Sequence, residues 1–199
     1  MKLIVGLGNP GRSYERTRHN AGYVAVDRLI DRHAKGATPR GRFNAAVVEA
    51  SIAGTPCLLM KPTTYMNRSG AAVAEAVGFY KLDPTADLFV IVDDVALPAG
   101  ALRIRPGGGA GGHNGLSDLQ RALGTELYPR CRVGIGASPE YMDQADHVLG
   151  KFNDWEWAAV EPAIVKAADA AEEFVTRGID ACMNRFNVRP PRGDGDTQD

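Results

Sequence analysis

The sequence lacks an excess of positive charge, a cysteine framework and any long apolar run, and each absence excludes a class of protein. Its 199 residues hold 23 Lys and Arg against 24 Asp and Glu, for a net charge of −1. Without a global positive field, a nucleic-acid partner needs a local basic patch. No stretch approaches the roughly 18 apolar residues that a membrane-spanning helix requires. The segment before Gly8 carries one Lys and few apolar residues, so no secretory leader is expected.

The three cysteines, Cys57, Cys131 and Cys182, lie far apart and form no Cys-x-x-Cys or Cys/His cluster. This spacing favours reduced thiols in a cytoplasmic protein over a disulfide framework or a zinc site. A chain of this length can bury a sizeable core without such crosslinks.

Apolar runs and helical periodicities alternate along the chain, which is typical of an α/β fold. The apolar runs predict strands at 2–7, 43–52, 56–62, 88–94, 101–106 and 130–136. Helical spacing predicts helices at 20–33, 67–80, 115–123 and 154–177, with Pro162 near a start or a kink, and a last turn at 180–186. We expect one domain over 1–187, a twisted mixed sheet flanked by helices. The polar segment 137–149 predicts a mobile loop or lid, and 188–199 a disordered tail.

The opening segment GLGNPG raises an alternative, because Gly6, Gly8 and Gly11 have the spacing of a dinucleotide-binding loop. That loop requires its third glycine in the first turn of a helix, whereas the predicted helix begins about ten residues later. The available acids, Asp27 and Asp31, fall inside the predicted helix instead of after a second strand. A nicotinamide oxidoreductase is therefore kept as the weaker alternative, and turn chemistry alone would also explain the glycines.

Five motifs together resemble those of the bacterial-type peptidyl-tRNA hydrolases, over about residues 1–187. They are GLGNPGRSYERTRHNAG, KPTTYMNRSG, the strand end VDD followed by LPAG, GGGAGGHNGL and the late MNRF. The resemblance implies a peptidyl-tRNA hydrolase-like (phosphorylase/hydrolase-like) α/β fold. It also implies a monomeric, cytoplasmic enzyme without metal or cofactor. Such an enzyme hydrolyses the ester between peptide and tRNA and binds the acceptor stem and 3′ end. Two positions depart from the family pattern, Ala96 and Ala101, and a non-catalytic RNA-binding relative is a second alternative.

Ester hydrolysis at neutral pH requires a base for water, a group that orients the base, and donors for the developing oxyanion. His19 suits the base, since histidine ordinarily titrates near neutral pH, and Asp93 suits the orienting acid. Asp94 is the alternative acid. Strand alternation places the two carboxylates on opposite faces, so only one should reach the site.

The resemblance implies further roles for residues that match family positions. It assigns substrate and water binding to Asn9, Asn67 and Asn114, the peptide groove to Tyr14 and Met66, and grip of the 5′ phosphate to Arg105 and Arg132. His113 is expected beside the catalytic pair, without a catalytic role of its own. From the sequence, the alternating pairs Arg103/Arg105 and Arg130/Arg132 could form a basic patch or simply solvated strand faces.

Overall fold

A computed structural model describes residues 1–187, and the tail predicted at 188–199 lies outside the described residues. Within this range the strands are β1 (Lys2–Gly6), β2 (Arg40–Arg42), β3 (Ala45–Ile52), β4 (Thr55–Pro62), β5 (Leu88–Asp94), β6 (Leu102–Arg105) and β7 (Arg130–Gly134). The α-helices are α1 (Ala21–His33), α2 (Ser69–Tyr80), α3 (Pro84–Asp87), α4 (Asn114–Leu123), α5 (Gln144–Leu149) and α6 (Asp154–Phe186). None of the helices in the described part is long and apolar enough to cross a membrane.

The seven strands form one mixed sheet in the order β2-β3-β4-β1-β5-β7-β6. The four central strands, β4, β1, β5 and β7, run parallel, while β2, β3 and β6 are antiparallel to their neighbours. Helices α1 and α6 cover one face around Ile4 and Phe89, and α2 and α4 cover the other around Val5 and Val90. The predicted α/β class, a single domain with a twisted mixed sheet between helices, is confirmed.

Most predicted elements are found within a few residues of their expected ends. Strand β2 was missed because three residues offer no alternation to detect. The two-residue turn at Phe43 and Asn44, with φ of 55° and 50°, then delays the start of β3 to Ala45. In α6 the non-helical residue is Gly178, with φ of 81°, so Pro162 is not the break. The two predicted helical segments lie on either side of Gly178.

Glycines at the start of the chain allow α1 to lie directly on the sheet. A Cβ on Gly6 would overlap the carbonyl oxygen of Gly22. A Cβ on Gly22 would overlap the carbonyl of Ile91 and lie 2.7 Å from the carbonyl oxygen of Leu7. The first glycines of GLGNPG therefore serve helix–sheet contact, which brings the residues before α1 close to the ends of β1 and β5.

We predict that Gly22→Ala lowers the free energy of unfolding by about 1–3 kcal/mol or more, because backbone atoms on both sides would have to move. Gly78→Ala is the matched control. Gly78 lies inside α2 with open space at its Cβ position, so alanine there should raise stability by about 0.5–1 kcal/mol. Urea unfolding of both variants measures the difference. Equal effects would contradict the close-contact explanation.

Candidate active site

Polar side chains gather at one edge of the sheet, where the parallel strands end. His19 follows β1, Met66 and Asn67 follow β4, and Asp93 and Asp94 complete β5. Strand β1 is hydrogen-bonded to β4 on one side and to β5 on the other. Between β4 and β5 the chain therefore crosses from one side of β1 to the other. Open α/β sheets form their binding crevices at such points.

Asp93 is buried and accepts hydrogen bonds from two histidines. His19 Nδ1 lies 2.9 Å from both carboxylate oxygens, and His113 Nε2 lies 3.2 Å from Oδ1. Burial by itself raises the pKa of Asp93, but the two facing imidazoles outweigh it and hold that pKa below its usual range. The carboxylate is therefore ionised, which makes it an acceptor only.

The hydrogen-bond partners define which nitrogen of each neutral imidazole carries the proton. Since an ionised Asp93 can only accept, His19 holds its proton on Nδ1 and leaves the Nε2 lone pair free. His113 Nδ1 accepts from the backbone N–H of Leu116 at 3.2 Å and so caps α4. Its proton must then lie on Nε2, where it is donated to Asp93. Thus His19 has a free basic nitrogen and His113 does not.

Asn9 is held so that its amide NH₂ remains available. Its side-chain oxygen accepts from the backbone N–H of Met66 at 2.8 Å. Its backbone N–H donates to Asn20 Oδ1 at 2.8 Å, and its carbonyl accepts from Asn20 Nδ2 at 3.0 Å. With the oxygen engaged, Asn9 can offer a ligand only hydrogen-bond donors. The sequence analysis gave Asn20 no role, and its reciprocal pairing with Asn9 is a contact between residues 11 apart.

Two neighbouring cavities both have His19 and Asn114 in their linings. The first, of about 120 Å³, has the ionisable side chains Asp93, Asp94, His113 and Arg132 among its lining residues. The second, of about 210 Å³, is lined by Asn9, Tyr65, Met66, Asn67 and Leu149. The cavities share four lining residues: His19, Asn114, Ala145 and Val148.

Helix α5 forms part of the wall of both cavities, since its Ala145 and Val148 line each of them, and we call this part of the wall the roof. The predicted lid at 137–149 therefore contains a helix that roofs the site, and its mobility stays a prediction. Its cavity-lining residues were missed because alanine and valine carry no chemical signal. Tyr65 was also missed, although it lies within the matched motif KPTTYMNRSG. It is exposed and packs edge-to-face on Tyr14, with ring centroids 6.4 Å apart.

The exposed asparagines Asn67 and Asn114 line the same cavity, Asn67 from the 3-10 turn Met66–Arg68 that precedes α2 and Asn114 from the start of α4. Within residues 1–187 neither side-chain amide makes a hydrogen bond to protein. Asp118 holds the two elements together by accepting from the backbone N–H of Gly70 at 2.6 Å. Both amides are thus free for a ligand while their backbones are held.

Asp94 differs from Asp93 as strand alternation predicts, but it still reaches the rim of the site. Its carboxylate accepts from the Ala96 backbone N–H at 2.8 Å and pairs with Arg132 at 3.2 Å. It makes no hydrogen bond to His19, and it lines the first cavity only. The expectation that one acid alone reaches the site is therefore wrong, although only Asp93 contacts the imidazoles.

The predicted basic patch is smaller than its four arginines suggest. Arg130 is 1% exposed, stacks on Tyr128 and donates to the carbonyls of Glu126 and Gly108. Its inclusion in the patch was wrong, because the guanidinium is bound to the carbonyl of Gly108 in the glycine loop, residues 107–112. Arg132 lines the first cavity, and besides Asp94 it donates to the carbonyls of Gly109 and Ala110.

Arg103 and Arg105 are exposed on β6, opposite Arg132 and Arg130 respectively in the antiparallel register. Paired and alternate residues share a sheet face, so the two exposed arginines lie on the same face as Arg132. Arg105 does not line either cavity.

Among the described residues, one cluster has the composition of a metal site: the His19, Asp93 and His113 ligand atoms lie within 4.8 Å of one another. The two histidine–carboxylate hydrogen bonds account for this closeness.

The comparisons with known proteins agree over almost the whole chain. The sequence model of the family described as peptidyl-tRNA hydrolase matches residues 3–193. The chain belongs to the peptidyl-tRNA hydrolase family. A peptidyl-tRNA hydrolase of Chloroflexus aurantiacus is 49% identical over 187 residues, covering 94% of this chain and 99% of the relative. One of Desulforamulus reducens is 47% identical over 189 residues, covering 95% and 90%.

A solved structure gives the same result for the fold. The crystal structure of peptidyl-tRNA hydrolase from Acinetobacter baumannii has a TM-score of 0.88 and 36% identity, and the match covers 96% of each chain.

Membership of the peptidyl-tRNA hydrolase family removes the dinucleotide interpretation of GLGNPG, and the geometry explains why the spacing misled. Gly11, with φ of 104°, precedes an isolated 3-10 turn at Arg12–Tyr14, and α1 begins only at Ala21. The third glycine therefore lies outside any α-helix, as the late helix predicted from the sequence implied.

Proposed function

We propose that this chain hydrolyses the ester that joins a peptide to the terminal ribose of tRNA, with His19 as general base. The observation that carries the proposal is the His19–Asp93 pair, which leaves a bare Nε2 in a cavity flanked by unpaired amide groups. Such a pair suits water activation, which is the triad arrangement with water in place of a serine hydroxyl.

In the proposed reaction a water oxygen attacks the ester carbonyl carbon while His19 Nε2 accepts the proton. Asp93 stabilises the imidazolium that forms, because its buried negative charge faces Nδ1–H. As the tetrahedral intermediate collapses, the carbon–oxygen bond to ribose breaks. The imidazolium then returns the proton to the ribose oxygen. The products are a tRNA with a free terminal hydroxyl and a peptide carboxylic acid, which loses its proton to solvent at neutral pH.

The asparagines supply the donors that the developing oxyanion requires. Asn9 can present only its NH₂, and the amides of Asn67 and Asn114 are free to donate to the carbonyl or to hold the water. None of them carries a charge, so they can bind the neutral ester before reaction as well as the oxyanion during it.

The two cavities support a direction for the substrate across His19. The cavity that contains Tyr65, Met66 and Leu149 offers apolar and aromatic contacts to peptide side chains, with Tyr14 behind Tyr65. The other cavity, with Asp94 and Arg132, offers polar groups to the ribose and the adjoining nucleotides. We therefore place the peptide beside Met66 and the RNA beside Arg132.

The activity is tested by incubating the protein with an N-blocked aminoacyl-tRNA and following release of the acyl group. Release by the native chain and loss in His19→Ala are expected. Binding without release would favour a non-catalytic RNA-binding protein and would overturn the proposal.

We also propose that the enzyme acts as a cytoplasmic monomer without a metal. Activity that survives EDTA, together with a monomer mass by sedimentation, would agree with this.

We predict different effects of removing the two neighbouring carboxylates. Asp93→Asn should lower kcat by about 10²–10⁴, because an asparagine NH₂ would donate to His19 Nδ1 and leave the proton on Nε2. Asp94→Asn is the matched control, and its kcat should fall by less than about tenfold, because Asp94 does not contact the imidazole. Equal losses in the two variants would contradict the assignment of Asp93.

We propose that Arg105 and Arg132 contact the 5′ phosphate region of the acceptor stem. Arg105 is exposed on the sheet edge, and the side chain of Arg132 is 12% exposed and already bound to the glycine loop. The exposed positive charge is therefore that of Arg105 on β6. The guanidinium of Arg132 adds a second charge, which its hydrogen-bond partners hold in place. Such a small clamp favours salt-sensitive binding with little sequence preference.

Arg105→Gln is predicted to reduce the slope of log(kcat/KM) against log salt concentration by about 1, the effect of one lost phosphate contact. Arg40→Gln is the control, since Arg40 is exposed on β2 at the opposite edge of the sheet. Its salt slope should match that of the native protein. The same slope in all three proteins would exclude Arg105 from RNA contact.

A further inference from the structure

Arg18 is nine-tenths buried next to His19, and its side chain has partners in the roof of the site. Its guanidinium donates to the His147 carbonyl at 3.1 Å and to both carboxylate oxygens of Glu156, at 2.7 and 2.6 Å. It also lies over the Phe152 ring, 5.5 Å from the centroid. One side chain thus joins the residue before His19 to the C-terminal end of α5 and to the first turn of α6.

The backbone around Arg18 makes a second connection to the same segment. The Arg18 N–H donates to the Gly150 carbonyl at 3.0 Å, and Thr17 pairs with Lys151 in an antiparallel bridge. A Cβ on Gly150 would lie 2.7 Å from Arg18 Nη1, although the φ of Gly150 is ordinary at −71°. The guanidinium therefore approaches the backbone of Gly150 closely.

Glu156 is held in place for this contact. Its carboxylate also accepts from the Asn153 backbone N–H at 2.9 Å, in a capping box at the start of α6. Burial by itself raises the pKa of Glu156, but the hydrogen bond and charge of Arg18 outweigh it and keep the pKa below its usual range. Both partners are mostly buried, so solvent screens this ion pair less than a surface pair.

We propose that Arg18 is a positioning residue that sets the height of the α5 roof above His19. The guanidinium binds the last turn of α5 at His147, one residue before Val148 and two before Leu149, both of which line the cavities. His147 itself is anchored at its other end, with Nε2 3.1 Å from the carbonyl oxygen of Gly136 beyond β7. Because Arg18 and His19 are consecutive, the roof and the catalytic imidazole are held by one short turn.

The kinetic test of this inference rests on the proposed hydrolysis. A second measurement, backbone hydrogen exchange, does not depend on it. Glu156→Gln keeps an acceptor for the capping box and removes the charge that holds Arg18. We expect KM for an N-blocked aminoacyl-tRNA to rise about three- to thirtyfold, the range typical of side-chain networks that link two sites. The value of kcat should change by less than about twofold, because the His19–Asp93 pair is untouched. Backbone hydrogen exchange at 144–150 should become faster.

Glu161→Gln is the matched control. Glu161 lies on the same helix and pairs with Arg28 of α1 at 2.6 Å, away from the roof. It should leave KM and exchange at 144–150 unchanged, even if both variants lose similar thermal stability. Arg18→Lys, which keeps the charge but cannot bridge the two partners, should reproduce the effect of Glu156→Gln.

A KM and an exchange rate in Glu156→Gln equal to those of Glu161→Gln would overturn the inference and leave Arg18 a purely structural residue. Faster exchange at 144–150 with an unchanged KM would also overturn it, because the roof would then not contribute to binding. Absence of hydrolysis by the native protein would contradict the proposed function instead, and the exchange comparison would still test the contact.

Discussion

Asp93 places one ionised carboxylate at the end of a fully buried strand, and the arrangement of the site depends on that charge. A buried charge is stable only when it is hydrogen-bonded and paired. Here two imidazoles from different parts of the chain supply the hydrogen bonds. Their hydrogen bonds to one carboxylate bring the turn before α1 and the start of α4 together, at the edge of the sheet where a ligand can enter.

The same charge separates the roles of the two histidines. His113 uses one nitrogen for Asp93 and the other for the cap of α4, so it has no lone pair to offer a substrate. His19 uses only Nδ1, and its remaining nitrogen opens on the cavities. The difference is a consequence of hydrogen-bond counting. It supports a positioning role for His113 and a proton-transfer role for His19.

The sequence predicted the sheet, most helices and the residues around Asp93, because strand runs and motif spacings are local signals. It could not predict that Arg130 is buried while Arg132 lines a cavity, because the two residues occupy alternate positions on one strand and show the same sequence pattern. Burial against Tyr128 and the glycine loop removes the first from solvent and leaves the second at the cavity. It predicted a lid at 137–149 but not the contacts that hold it, because Arg18 meets His147 and Glu156 across 129 and 138 residues of chain. Such contacts arise only from tertiary packing.

The central claim is that Asp93 keeps the proton of neutral His19 on Nδ1 and leaves Nε2 free to accept a proton from water. Nitrogen-15 NMR of the histidine side chains in the full chain measures this directly, with His19 assigned by comparison with His19→Ala. For the neutral ring, the account predicts a protonated Nδ1 and a bare Nε2 in the native protein, and transfer of the proton to Nε2 in Asp93→Asn. A native His19 that carries its proton on Nε2 would contradict it.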